Sequence, residues 1–243
     1  MRKSGWVRVL AGCLLAVGTV VAAAAQTSAN TVELAGGQAL IRFQGISVLI
    51  DPDGGGEGDH AAADPLPAVD VVLLRGCGPS QLAWLERQTL ESAVLVLGGP
   101  ACAIELRGQG VLRARLLQLW DAYSLRKGAA SVRLTVMPGV GAAPAAMQPE
   151  ALGAMLDFSD GGKMGCRIYA AGEVEEAALQ AIPQHFPGAT LAIVRRGGVP
   201  VLGVAGTARD GSRSLRIVTG VAAGELGYRI KPERSSPSIA QTR

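Results

Sequence analysis

Val69-Asp70-Val71-Val72-Leu73-Leu74-Arg75-Gly76-Cys77-Gly78-Pro79-Ser80-Gln81-Leu82 is the stretch from which the architecture is read. Val69–Leu74, apolar apart from Asp70, is a run of the kind a strand shows when both of its faces are covered. Gly76-Cys77-Gly78-Pro79 breaks the run. From Ser80 to Leu90 the apolar residues Leu82, Leu85 and Leu90 fall at helical spacing. A second buried strand, Ala93–Leu97, ends in Gly98-Gly99-Pro100, and a helix is expected over Ala101–Leu106. Strand, loop, helix, strand in this rhythm is a β-α-β unit with parallel strands.

Working outward, residues 26–31 are a polar lead-in, and short β-prone runs follow at Val32–Leu34, Gln38–Phe43 and Ile46–Ile50. Gln44-Gly45 between the last two suits a hairpin turn. Asp51-Pro52 closes the run, and Asp53–Pro65 reads as a loop rich in Gly, Asp and Ala. On the other side, strands are expected at Arg113–Leu119, Ser131–Met137, Met155–Phe158 and Arg167–Ala171. Pro138–Pro149 is a small-residue loop and Asp160-Gly161-Gly162 a turn. Glu175–Ile182 is helical in pattern. Leu191–Val194 and Val199–Val204 are strands around Gly197-Gly198, and Leu215–Val218 and Tyr228–Ile230 close the folded part.

The chain has 243 residues, 49% of them apolar and 33 of them Gly. That is enough for one large α/β domain. Three parts are expected: 1–25 a secretory signal peptide, 26–230 the folded domain, and 231–243 a disordered polar tail. Arg2, Lys3 and Arg8 precede the apolar run Val9–Ala25, which ends in Ala23-Ala24-Ala25 before Gln26. Two alternatives stay open: an uncleaved membrane anchor, and lipid attachment at the Leu10-Ala11-Gly12-Cys13 box. Cleavage leaves a periplasmic or secreted chain with no stable membrane span. It also removes three basic residues, so 23 basic against 20 acidic residues become 20 against 20. A neutral mature chain lacks the electrostatic footprint of a nucleic-acid-binding protein.

Several segments, taken in order, resemble the metallo-β-lactamase superfamily and within it the ascorbate-6-phosphate lactonase-like branch. Val48-Leu49-Ile50-Asp51-Pro52 resembles a strand ending in L-x-D-P, and Val69–Leu74 the strand that delivers the metal loop. Leu119-Trp120-Asp121 and Val132–Pro138 resemble the aspartate/tryptophan strand and the strand ending in V-P-A-x-H. Arg167–Glu173 resembles R-I-Y-F-A-G-D. Gly206-Thr207 and Gly224-Glu225 resemble the late H-Y-G-T and P-G-E. The resemblance implies an α/β fold, an αββα four-layer sandwich of two mixed β-sheets. Between Val194 and Val199 the family carries a crossover helix, whereas this chain offers only four residues. Parallel neighbours cannot be joined by so short a link, so a hairpin is the alternative there.

Laid on this chain, the family's S-H-x-H-x-D-H loop puts Gly76 and Gly78 at the first two histidines, Ser80 at the aspartate and Gln81 at the third histidine. The later histidines fall on Gly141 and Val204, and the bridging aspartate on Glu173. A catalytic zinc needs about three donor side chains from His, Cys, Asp or Glu. Gly and Val have none, and Ser and Gln are poor ligands. Only Glu173 remains, with Cys77 as a stray thiolate, so no metal or other cofactor is expected and the cleft is read as vestigial.

Two function classes follow. One is a non-catalytic periplasmic pseudoenzyme that binds a small molecule or a partner protein. The other is a hydrolase of the lactone or phosphoester type working through unusual residues. A Cys77 nucleophile would need His60 as its base, since the only other histidine is His185. A Cys77–Cys102 disulfide is expected, both residues lying just after consecutive buried strands, with Cys166 left as a thiol. Glu173 is either a site remnant or a carboxylate at the start of the following helix. Glu57, Asp59 and His60 form a solvated loop rather than a metal site, and Trp120 and Tyr169 are expected to pack.

Overall fold

A computed structural model describes residues 30–35, 37–52, 69–74, 78–87, 95–98, 105–106, 108, 114–140, 152–207, 211–218 and 226–230. They build fourteen strands and two helices: β1 Thr31–Ala35, β2 Gln38–Phe43, β3 Ile46–Ile50, β4 Val71–Leu74, α1 Pro79–Arg87, β5 Leu95–Gly98, β6 Ala114–Leu116, β7 Ala122–Lys127, β8 Ala130–Pro138, β9 Leu152–Asp160, β10 Lys163–Glu173, α2 Glu176–His185, β11 Leu191–Arg196, β12 Val199–Thr207, β13 Arg213–Ile217 and β14 Leu226–Arg229.

Two seven-stranded sheets result, in the orders β14-β1-β2-β3-β4-β5-β6 and β13-β12-β11-β10-β9-β8-β7. Both are mixed. In the first, β3, β4, β5 and β6 are parallel and the others antiparallel. In the second, only β10 and β11 run parallel.

The period of two in the strands explains the packing. Ala39, Ile41 and Phe43 of β2, Ile46, Val48 and Ile50 of β3, and Val71 and Leu73 of β4 point between the sheets. There they meet Val132, Leu134, Leu156, Phe158, Ile168 and Ile193 of the second sheet. The alternate residues Leu40, Leu49, Val72 and Leu74 face outward into a smaller cluster with Trp84 of α1 and with Leu106. On the outer face of the second sheet, Met155, Tyr169, Ala192 and Val194 pack with Leu179 and Ile182 of α2. Strands covered on both faces read as unbroken apolar runs for this reason. Each fully buried Ile, Leu or Phe contributes about 1.5–3 kcal/mol.

The expected elements are present among the described residues, with changed bounds. The strand expected over Arg113–Leu119 is only Ala114–Leu116, because Gln118–Asp121 turns the chain toward the second sheet. That turn feeds β7, an edge strand absent from the sequence reading. Its alternating exposed and half-buried residues leave no apolar run to mark it. Leu191–Val204 is a hairpin: Leu191 pairs with Val204 and Arg196 with Val199, antiparallel, around Gly197 and Gly198 at φ 56° and 80°. Two positive φ values in succession are the geometry of a tight two-residue turn, which glycine adopts without strain. Of the helix expected at 101–106, only Glu105 and Leu106 are described, and both are helical. The tail and the signal segment lie outside the described residues. Among those described, no helix is long and apolar enough to cross a membrane.

Candidate functional site

One edge of the sandwich collects the C-terminal ends of β3, β4, β5 and β6 from the first sheet and of β8, β10 and β11 from the second. There the Trp120 N–H donates to the Val136 carbonyl at 3.0 Å and the Val136 N–H to the Asp121 carbonyl at 2.9 Å, which extends the β7–β8 ladder beyond its Ala122–Thr135 pair. Arg195 Nη1 donates to the Gly37 carbonyl at 3.0 Å and so links the second sheet to the first. The residues expected to line a cleft converge on this edge in part only.

Gly78 stands at the start of α1, Pro79 is its first helical residue, and Gln81 lies two further on. Proline suits that first position because its missing N–H is not needed there. Gln81 Oε1 accepts the Gly78 N–H at 3.1 Å, the reach-back half of a capping box. The side chain laid on the third ligand histidine therefore closes the helix on itself. The signal was in the sequence, because Gly-Pro-Ser-Gln before a helical pattern is a cap. Ser80 is the second residue of the same helix, and its side chain is not described.

Glu173 ends β10, exposed to solvent, and its two carboxylate oxygens accept the backbone N–H groups of Gly197, in a very short bond, and of Gly198 at 3.1 Å. It does not cap α2, whose N-cap is Glu175 without a side-chain hydrogen bond. Arg196 pairs with Glu176 at 2.6 Å and the Val174 N–H donates to the Arg195 carbonyl, so the hairpin turn is tied to the β10–α2 junction at several points.

Val204 does not belong to the edge. It sits five residues along β12 from Val199, roughly 17 Å at strand rise, half-buried against the core between the sheets. Assigning it a ligand position fails because the hairpin replaces the crossover. Gly76, Cys77, Cys102 and Gly141, with the Cys77–Cys102 pairing, lie outside the described residues, as do Glu57, Asp59 and His60. Cys166 is buried in β10 with Sγ 3.7 Å from Thr190 Oγ1.

The two aromatics differ. Tyr169 packs as expected, 0% exposed, stacked on Phe186 at 4.1 Å and donating from its hydroxyl to the Pro138 carbonyl at 2.9 Å. Trp120 does not pack: it is 62% exposed and its φ is +72°. A bulky residue in the left-handed region is strained and is held there by its surroundings. Here the hydrogen bonds of Trp120 and Asp121 to Val136 hold it. Asp51, after β3, also has a positive φ, +43°, and is 5% exposed. It is the one buried carboxylate among the described residues, and its N–H donates to the Leu73 carbonyl at 2.8 Å. Nothing in the residue pattern signalled its burial. Next to this edge, Tyr123 donates to the Leu116 carbonyl. Its pKa is raised first by burial and then by the nearby Asp121 carboxylate, while Arg115 opposes the shift.

The described residues laid on ligand positions do not by themselves offer zinc a donor set. Of the described residues laid on ligand positions, Gln81 and Glu173 have their oxygens directed at backbone N–H groups, and Val204 has no donor and lies elsewhere. Among the described residues, no three His, Cys, Asp or Glu side chains group as a metal site requires.

No protein-family model matches the chain, and no curated protein matches it. Solved structures similar to it include an isothiocyanate hydrolase from Delia radicum gut bacteria, 20% identical, with 65% of this chain and 69% of that one covered and a TM-score of 0.43. A metallo hydrolase from Ignicoccus hospitalis is 13% identical over 67% of this chain and 69% of that one, TM-score 0.41. A metallo-β-lactamase fold protein from Bacillus subtilis is 12% identical over 60% of this chain and 65% of that one, TM-score 0.36.

Proposed function

We propose that the chain is an exported, periplasmic protein on a metallo-β-lactamase-like αββα sandwich of the lactonase-like branch. In this reading α1 and α2 are the outer layers, and the cleft edge binds a small molecule or a partner protein in place of hydrolysing one through zinc. The observation that carries the reading is the use made of Gln81 and Glu173. Their oxygens satisfy the chain's own N–H groups at the start of α1 and at the β11–β12 turn. Freeing either for a metal would leave those donors to water and cost part of the energy that binding gains. The exposed, strained Trp120 at the same edge supports binding, since an open indole offers a large apolar face at small entropic cost.

Elemental analysis of the mature protein, purified without chelator, tests this together with melting curves at increasing zinc. Well under one metal per chain and a melting point indifferent to micromolar zinc are expected. About one tightly held metal per chain, or a steep rise in melting point with zinc, restores the zinc-hydrolase alternative. Export is tested separately: N-terminal sequencing is expected to begin at Gln26, and a lipid-modified Cys13 overturns cleavage after Ala25.

A further inference from the structure

We propose that the outer face of the second sheet carries a separate binding site, a groove across β7, β8, β9 and β10 that takes a phosphate group, free or carried on a small organic molecule. α2 packs on the part of this face that runs from β13 to β10, with Met155 of β9 at its margin. The part toward β7 carries no helix among the described residues, and it is polar in a particular arrangement. The strand register sets Ser124, Arg133, Asp157 and Arg167 side by side in one row across the four strands. Arg126, Ser131, Ser159 and Met164 form the next row. Directly opposed residues of antiparallel strands share a face with their Cβ atoms about 5 Å apart, so the rows form one continuous surface. They line a groove of about 490 Å³.

Three guanidinium groups and one carboxylate meet in the groove. Asp157 is taken by Arg167, whose Nε donates to its Oδ1. Arg126 and Arg133 are exposed and have no ion-pair or hydrogen-bond partner among the described residues. They stand beside Ser131, one across the strand pair and the other two residues along β8. Ser131 Oγ lies 2.7 Å from Ser159 Oγ. Two hydroxyls sharing one hydrogen bond leave one O–H to donate elsewhere. Two uncompensated positive charges over that free donor match the charge of a phosphate group, about −1.5 to −2 near neutral pH. Guanidinium forks are the side chains best shaped to hold its oxygens. The net charge of the whole mature chain hides this, because the excess is local.

Titration of the mature protein with inorganic phosphate and with phenyl phosphate, followed by amide and arginine-side-chain NMR, tests the proposal. Saturable shifts are expected at β7–β9 residues, weakened about tenfold or more in Arg126→Ala and in Arg133→Ala. Folding of both variants is expected to be unchanged, since both side chains are exposed and unpaired among the described residues. A Ser131→Ala variant reports on the hydroxyl with a smaller loss. Tighter binding of the ester marks an organic phosphate as the occupant, and equal binding marks the free anion. Shifts reproduced by sodium chloride at equal ionic strength, or binding that survives in both arginine variants, overturn the site.

Discussion

The two edges of the sandwich are built by different rules. At the edge away from the cleft, two-residue turns at Gln44-Gly45, Gly128-Ala129 and Gly161-Gly162 close three hairpins. A side-chain clasp joins the sheets there. Asp70 accepts the Ser47 N–H at 2.9 Å and pairs with Lys127 Nζ at 3.1 Å, linking β3 and β4 to the end of β7. At the cleft edge the parallel strands end, and parallel neighbours need long connections. Its side chains serve local ends, Gln81 one helix and Glu173 one turn, and Trp120 is largely exposed. Exchanging such side chains leaves the core between the sheets closed, so this edge can vary without disturbing the fold.

The sharpest test of that division sets Tyr169, buried under α2 on the outer face, against Trp120, exposed at the cleft edge. Tyr169→Ala removes a fully buried, stacked ring and is expected to cost about 3–5 kcal/mol, whereas Tyr169→Phe loses one hydrogen bond and about 1 kcal/mol. Trp120→Gly is expected to be neutral or to stabilise by up to about 1 kcal/mol, because glycine accepts the positive φ and little packing is lost. Urea unfolding of the three variants decides it. A Trp120→Gly loss as large as that of Tyr169→Ala would make Trp120 a core residue and end the case for a binding face.

Asp70→Ala breaks the clasp at the far edge and strands a half-buried N–H, for an expected loss of about 1–2 kcal/mol. Lys127→Ala should cost less, about 0.5 kcal/mol, because the ammonium is largely exposed and screened. Glu173→Ala is expected to cost about 1 kcal/mol and Gln81→Ala about 0.5–1 kcal/mol. Gln81→Glu should retain most of the cap. Thermal melts rank these five variants. A Glu173→Ala loss far beyond that of Asp70→Ala would mean that the cleft edge holds the sheets together as well.

The fold was legible where strands are covered on both faces, since Val48–Ile50, Val71–Leu74 and Leu191–Val194 are unbroken apolar runs. β7 was not legible. At Ala122–Lys127 only one face is covered, and that face carries Tyr123 and Leu125 between Ala, Ser, Arg and Lys. At the candidate site, the residue types replacing the ligands could be read from the resemblance, and the helix cap at Gly78–Gln81 from local spacing. The partners of Glu173 could not, because they lie in a hairpin turn 24 residues away, and spacing does not say which carboxylate meets that turn. Packing is the ordinary expectation for a large aromatic such as Trp120. What reverses that is a backbone φ, and no residue pattern states a φ for tryptophan.

The smallest expected effect lies where the sheets meet beside the cleft edge, and it appears only in alkali. Tyr123 has its pKa raised from 10.0, mainly by burial and then by Asp121. Its hydroxyl donates to the Leu116 carbonyl, a bond that only the neutral phenol can make. In the unfolded chain the phenol ionises near pH 10, while in the folded chain it holds its proton to higher pH. Between the two values the folded state binds more protons, so stability falls as pH rises. The contribution is complete below about pH 10 and is lost as pH climbs through the folded value. Tyr123→Phe should therefore be slightly less stable than the parent at neutral pH, by the lost hydrogen bond. Its stability should decline less steeply above about pH 10. Urea midpoints from pH 8 to 11 measure both slopes. Identical alkaline slopes in parent and variant would show that Tyr123 is not the titrating group and that the β6–β7 contact is indifferent to its proton.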